Sequence, residues 1–165
     1  MRFHAEHRFS GSVQSVAAIL ADPDFYLGLA LPDLSQPEVL EQNSVGNQAQ
    51  LRLRYEFVGS IDPIAQRLLG SSRLVWIQQV HVDRSTGAGA LRFEAEKDPR
   101  RLHGLADFTF TEDDDGVGCV RRLNGELVVA VPGVGRMAER RIVPGIVRRL
   151  TIEAEAVNGR LNEAA

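Results

Sequence analysis

The stretch that decides the fold is Val131-Pro132-Gly133-Val134-Gly135-Arg136-Met137-Ala138 and the thirty or so residues after it. Before it, apolar residues alternate one by one. After it, Val134, Ala138, Ile142, Ile146, Leu150, Ala154, Val157 and Leu161 recur every three or four residues. That spacing lines one face of a long helix with apolar groups. A helix of this length needs a large apolar partner, and the sheet before it is the only candidate. Pro144 falls inside the apolar period and has no N–H to donate to the carbonyl of Arg140, so a kink or short break is expected near residues 140–145.

Outward from that helix, residues 2–9 read as a strand with Phe3, Ala5, His7 and Phe9 on one face. Ser12 is an N-cap for a helix through Val13, Val16, Ala17, Ile19 and Leu20. Asp22-Pro23 starts a second short helix, which carries Phe25, Tyr26, Leu29 and Leu31 and ends at Pro32. A meander follows. Residues 37–45 form a strand that turns at Gly46-Asn47. In residues 48–58, Ala49, Leu51, Leu53, Tyr55 and Phe57 face one way and Gln50, Arg52, Arg54 and Glu56 the other. Asp62 to Leu69 reads as a short helical excursion capped by Asp62-Pro63 and closed by Gly70. In residues 73–83, Leu74, Trp76, Gln78, Val80 and Val82 share a face, with Val75 and Ile77 opposite. Gly87-Ala88-Gly89 is a hairpin turn. Leu91, Phe93 and Ala95, then Ala106, Phe108 and Phe110, mark two more strands, and residues 117–131 a last long one. The fold class is α+β: a curved antiparallel sheet of about seven strands, in the order β-α-α-β6-α, around a long C-terminal helix. Short connections favour antiparallel neighbours.

Composition fits this reading. The chain has 165 residues, 44% of them hydrophobic and 25% charged, with a formal net charge of −3. Residues 1–165 form a single domain by length, one that buries roughly 70% of its unfolded surface. The negative balance argues against a dedicated nucleic-acid binder. Cys119 is the only cysteine, so no internal disulfide forms. Met1 to Phe9 has no continuous apolar run and is not a signal peptide. No stretch approaches the ~20 apolar residues of a membrane helix, so stable membrane insertion is not expected. The expected compartment is the cytoplasm.

The element order resembles the helix-grip fold of START lipid-transfer domains, pollen-allergen (Bet v 1-like) proteins and polyketide cyclases, over nearly the whole chain. The strand ending His7-Arg8-Phe9, the helix from Val13 to Leu20 and the turn Ala21-Asp22-Pro23-Asp24-Phe25 are similar to the start of many such domains. Val131-Pro132-Gly133-Val134-Gly135 is similar to a bacterial family of unknown function within that superfamily, domain-of-unknown-function family 2505. The resemblance implies a hydrophobic cavity between the sheet and the C-terminal helix. It implies no catalytic residues, because the superfamily has no common set.

Several residues bear on chemistry. Gly133, Gly135 and Ala138 match the G-x-G-x-x-A dinucleotide fingerprint, but no second parallel strand follows, so they read as small residues that seat a helix on a sheet. His4 and His7 are three apart on a strand and point to opposite faces, so they cannot share a metal. His7 shares the inward face. It either orients a ligand or moves a proton, or it is an ordinary hydrogen-bonded interior histidine. Gln78 and Tyr55 are the other polar groups on the apolar face. They either fix a ligand's polar end or bond to one another, to water or to backbone. Arg136, Arg140, Arg141, Arg148 and Arg149 with Glu139, Glu153 and Glu155 read as a solvated helix face. Asp113 to Asp115 lack calcium-loop spacing, and Cys119 has no catalytic partner.

The function expected from these residues is binding of a lipophilic small molecule (lipid, sterol or polyketide-like), with no cofactor, metal or catalytic set indicated and the oligomeric state left open. The expected ligand-binding residues are Leu51, Leu53, Tyr55, Phe57, Leu74, Trp76, Gln78, Leu91, Phe93, Phe108, Phe110, Met137, Ile142 and Ile146, with His7. Two alternatives stand beside it. One is a cyclase- or aromatase-like enzyme using inward groups such as His7 or Tyr55. The other is a protein-interaction domain with a filled core.

Overall fold

The structure is a computed structural model that describes residues 1–60 and 73–165. The helical excursion expected at Asp62–Leu69 lies outside the described residues. Strand β1 (Arg2–Phe9) is followed by helices α1 (Val13–Leu20) and α2 (Pro23–Gly28). Strands β2 (Glu38–Val45), β3 (Gln48–Glu56), β4 (Val75–Asp83), β5 (Gly89–Ala95), β6 (Leu102–Glu112) and β7 (Cys119–Val129) come next, and the chain closes with helix α3 (Gly135–Ala164). All strand pairs are antiparallel, in one seven-stranded sheet of order β1-β7-β6-β5-β4-β3-β2. This is the α+β helix-grip architecture expected from the alternation and the terminal helix.

The capping residues do what their chemistry suggests. The Ser12 hydroxyl accepts from the Ser15 N–H, and an Asp22 carboxylate oxygen accepts from the Asp24 N–H at 2.9 Å. Helix α2 is shorter than expected. It ends at Gly28, and Leu29 takes an extended backbone (ψ 112°). Leu31 precedes Pro32, whose ring disfavours helical geometry at the residue before it.

Registers across the sheet put inward side chains in rows perpendicular to the strands. One row is Tyr55–Trp76–Ala95, continued on the next strands by Leu102–Val129. The second is Leu53–Gln78–Phe93–Gly104–Leu127. The third is Leu51–Val80–Leu91–Ala106–Gly125–Phe3. Beyond them lie the rows of Phe108 and Phe110, the latter continuing through Arg121 to His7. Helix α1 packs against β4, β6 and α3 at that far end and buries Val13, Val16, Ala17 and Leu20. The outward face is mostly polar, with Leu105 exposed on β6 and Val120 buried on β7; Ile77 of β4 is buried there as well. It pairs with Arg54 and Glu94, and the Arg54–Glu96 ion pair spans β4 there, so aliphatic stems cover it.

Helix α3 runs without interruption through Pro144, so the expected break at residues 140–145 is absent. Pro144 and Arg140 both face solvent. The carbonyl that loses its donor is therefore open to water, and no rearrangement is needed to satisfy it.

The two faces of β3 make a direct test of this orientation. Leu53 is fully buried, whereas Arg54 pairs at the surface with Glu96 at 2.6 Å. Leu53→Arg should cost several kcal/mol in chemical denaturation, because it places an unpaired charge in the core. Arg54→Leu should cost about 1 kcal/mol or less, the scale of a surface ion pair. Equal losses of denaturation midpoint would mean the strand faces the other way.

Candidate functional site

A cavity of about 610 Å³ lies between the sheet and α3. Its floor is the inward face of β4 to β7, with Phe3 of β1: Trp76, Gln78, Leu91, Phe93, Ala95, Leu102, Ala106, Leu127 and Val129. Its roof is α3 from Met137 to Glu153, including Ala138, Ile142, Ile146 and Leu150. Leu31, Leu34, Phe57 and Leu74 close one side. The volume follows from side-chain size. In these rows the sheet carries Ala95, Gly104 and Ala106, whereas the far end carries Phe9, Phe108 and Phe110 in mutual ring contact. At Gly104 the Phe93 ring lies so close that an added β-carbon would stand 2.2 Å from it. The ring is thereby laid flat on the sheet, leaving the space above it free.

Nine of the expected ligand-binding residues meet around this volume: Phe57, Leu74, Trp76, Gln78, Leu91, Phe93, Met137, Ile142 and Ile146. The other six lie elsewhere. Leu51, Leu53 and Tyr55 are buried in β3, behind the wall that β4 presents. Tyr55 is stacked on Trp76 with centroids 5.7 Å apart, and the Arg149 guanidinium sits 4.5 Å from its ring centre. Phe108, Phe110 and His7 belong to the rows beneath α1. Alternation identifies the inward face, but it does not say which inward residues border empty space.

Two charged residues deep in the core were not expected there. Arg121 of β7 and Glu153 of α3 are 1% and 2% exposed, and Arg121 Nη1 donates to Glu153 Oε1 at 2.8 Å. Glu153 therefore does not belong to the solvated helix face. The signal was present in both periods. Arg121 keeps the phase of Cys119, Leu123, Leu127 and Val129 along β7, and Glu153 falls between Leu150, Ala154 and Val157. Arg121 also lies between the rings of Phe9 and Phe108, 5.5 and 5.9 Å from their centres, while its Nε has no partner among the described residues.

His7 completes this cluster. Arg121 Nη2 lies 3.2 Å from His7 Nδ1, and arginine can only donate, so Nδ1 accepts and the neutral ring carries its proton on Nε2. Burial, reinforced by the Arg121 charge, lowers the His7 pKa from 6.5 to about 4. The ring is neutral at pH 7. Burial likewise pushes the Cys119 thiol up to about 11, which removes it as a nucleophile at neutral pH. Glu153 lines the cavity as well, so the ion pair stands at its inner edge.

The polar groups of the cavity itself are few. Gln78 is 3% exposed, lines the cavity, and makes no side-chain hydrogen bond among the described residues. Arginines such as Arg148 and Arg149 on α3 and Arg101 before β6, with Lys97, border the mouth beside Glu96 and Asp98. Among the described residues no three His, Cys, Asp or Glu side chains are grouped to hold a metal ion, and no helix is long and apolar enough to cross a membrane.

The family model described as protein of unknown function, DUF2505, matches residues 4–161. The chain belongs to this family. No curated protein matches it. Among solved structures, a protein from Thermus thermophilus is 14% identical with a TM-score of 0.65, the match covering 100% of this chain and 99% of that one. A START superfamily protein from Mycobacterium smegmatis is 15% identical, with a TM-score of 0.59 and 99% of both chains covered. Norcoclaurine synthase from Thalictrum flavum is 15% identical with a TM-score of 0.65, over 100% of this chain and 88% of that one. At such identities the likeness is one of fold: the chain has the helix-grip architecture of these proteins.

Two predictions test the buried cluster. Arg121→Met leaves the Glu153 carboxylate buried without a counter-charge and should cost about 3–5 kcal/mol in denaturant unfolding. Arg121→Met with Glu153→Leu should recover most of that loss, since an apolar pair of similar size replaces the ions. An additive loss in the double variant would show that the two charges act independently.

For His7 the folded pKa lies below the unfolded value, so the unfolded chain binds more protons between pH 6.5 and 4. Stability is therefore full above pH 6.5 and falls as pH drops through this window, by at most about 3 kcal/mol for this one group. His7→Gln should flatten that part of the stability profile. A variant whose profile between pH 4 and 6.5 parallels the parent's would rule out His7 as its source.

Proposed function

We propose that this protein binds a lipophilic small molecule in the cavity between its sheet and α3. The observation that carries the reading is the cavity itself: about 610 Å³, walled chiefly by apolar side chains, with the Gln78 amide on its wall. Ligand sites commonly span about 300–1,000 Å³ and combine apolar walls with a few placed polar groups. Norcoclaurine synthase from Thalictrum flavum, similar in fold, was solved in complex with dopamine and hydroxybenzaldehyde. That supports a small-molecule site in this architecture. A cyclase-like role drawing on His7 or Tyr55 is disfavoured, because neither side chain borders the cavity. A filled core working only through a protein partner is disfavoured by the same open volume.

Trp76 is the only tryptophan and stands on the cavity wall. Fatty acids, sterols, flavonoids and polyketide-like aromatics titrated against its fluorescence should include compounds that change its emission. The same compounds should raise the melting temperature, with about 2.7 kcal/mol of stabilisation at one hundred times the dissociation constant. Native mass spectrometry of the purified protein should show a retained lipophile. If no compound in these classes moves either readout, the cavity is not a ligand site.

A further inference from the structure

Most of the cavity wall is apolar, and two buried polar residues, Gln78 and Glu153, stand on it at separate places. Gln78 stands in the middle of the row Leu53–Gln78–Phe93, so its neighbours across β3 and β5 are both apolar. The residue is 3% exposed, and its amide, which hydrogen-bonds to no described residue, opens onto the cavity rather than being sealed in the core. A ligand that fills the cavity without offering this amide a partner would seal it from water and forfeit a hydrogen bond's worth of free energy. Valine and tryptophan occupy other inward positions of this strand, and an apolar side chain would incur no such cost at residue 78.

Glu153 lies on the same cavity wall from the helix side. One of its oxygens, Oε1, accepts from Arg121, and no donor among the described residues reaches Oε2. A carboxylate can only accept, whereas an amide both donates and accepts. A hydrocarbon placed against these groups would satisfy neither. A second carboxylate would meet Glu153 with like charge. A hydroxyl satisfies either group, because it donates to an oxygen and accepts from an N–H.

We infer that Gln78 is the specificity-determining residue of the cavity, and that it selects a lipophile carrying a hydroxyl where the ligand meets β4 over its bare hydrocarbon analogue. This rests on the cavity being a ligand site and names the class of ligand. The apolar walls supply affinity in proportion to the area buried, and they do so for any lipophile of suitable size. Gln78 contributes discrimination. A site built to hydrogen-bond a ligand hydroxyl rejects the analogue lacking it, because its own buried polar group is then left unpaired.

The test uses two matched pairs of probes on the full chain: 9-phenanthrol with phenanthrene, and 5α-cholestan-3β-ol with 5α-cholestane delivered from cyclodextrin. Each is titrated by calorimetry into the parent protein and into Gln78→Leu. The readout is the ratio of dissociation constants, alcohol over hydrocarbon. Solvation of the free probes cancels when this ratio is compared between the two proteins. In Gln78→Leu the ratio should rise about tenfold, equivalent to about 1.4 kcal/mol, through weaker binding of the alcohol. Hydrocarbon affinity should stay the same or improve. Should Gln78→Leu not fold, Gln78→Met carries the same readout on an unbranched side chain. A ratio that moves less than about threefold overturns the inference and leaves the cavity reading standing, as does binding of the hydrocarbons alone. Failure of all four probes to bind the parent protein overturns both.

Discussion

The Arg121–Glu153 ion pair fixes how the helix meets the sheet. Removing a guanidinium and a carboxylate from water costs several kcal/mol each, and only a close, well-oriented contact offsets that cost. A shift of α3 along its axis by a single turn, about 5.4 Å, would leave both charges stranded in apolar surroundings. Apolar packing alone would tolerate such sliding far better, because Leu150, Ala154 and Val157 meet a sheet whose every inward row carries apolar side chains. The pair thus selects one register among several of similar apolar burial. His7 contributes by accepting the second Arg121 nitrogen, and the Phe9 and Phe108 rings flank the guanidinium. The cation is enclosed by partners suited to its charge and its flat shape.

Once the helix is seated, the cavity is a consequence of residue size. Rows near the ion pair are filled by phenylalanines and by α1. Rows further along carry alanine and glycine at Ala95, Gly104 and Ala106, and no second layer of helices covers them among the described residues. Helix α3 spans this gap as a beam held at both ends. At its start Glu139 accepts the Val129 N–H at 3.0 Å, and Gly135 lies so close to the Val129 carbonyl that a β-carbon would be 2.2 Å away. At its end Asn158 accepts from the Ser10 N–H and donates to the Arg8 carbonyl, and Arg160 pairs with Asp22 at 3.0 Å. The stretch between is the one that roofs the cavity.

Most of the architecture was legible in the sequence because period-two and period-3.6 patterns are long here. The alternation from Ala49 to Tyr55 and the repeat from Ala138 to Val157 translate directly into β3 and α3. The site was legible only in part. Periodicity assigns a residue to the inward face, but Leu53 and Gln78 are both inward and neighbours in one row, and only Gln78 borders the cavity. Which inward positions stay uncovered depends on where α1 and Trp76 sit, and that is long-range packing. The buried charges were missed for a different reason. Arg121 and Glu153 hold inward phases, but composition makes charged residues surface residues by default, and two such exceptions explain each other only once their strand and helix are known to face one another.

The division between the two ends of the molecule has a functional consequence. The groups that hold α3 in place lie at its termini and around Arg121, whereas most of the residues bordering the cavity are not among these clamps. Ile142 and Ile146 are only half-buried, and Met137 stands largely in solvent at the mouth. Their substitution removes little buried area, so it costs little stability. A family built this way can alter cavity shape and polarity without disturbing the helix register, since the two depend on different contacts. Glu153 is the exception. One of its oxygens holds the ion pair while its side chain borders the cavity, so it links the stability of the fold to the chemistry of the site.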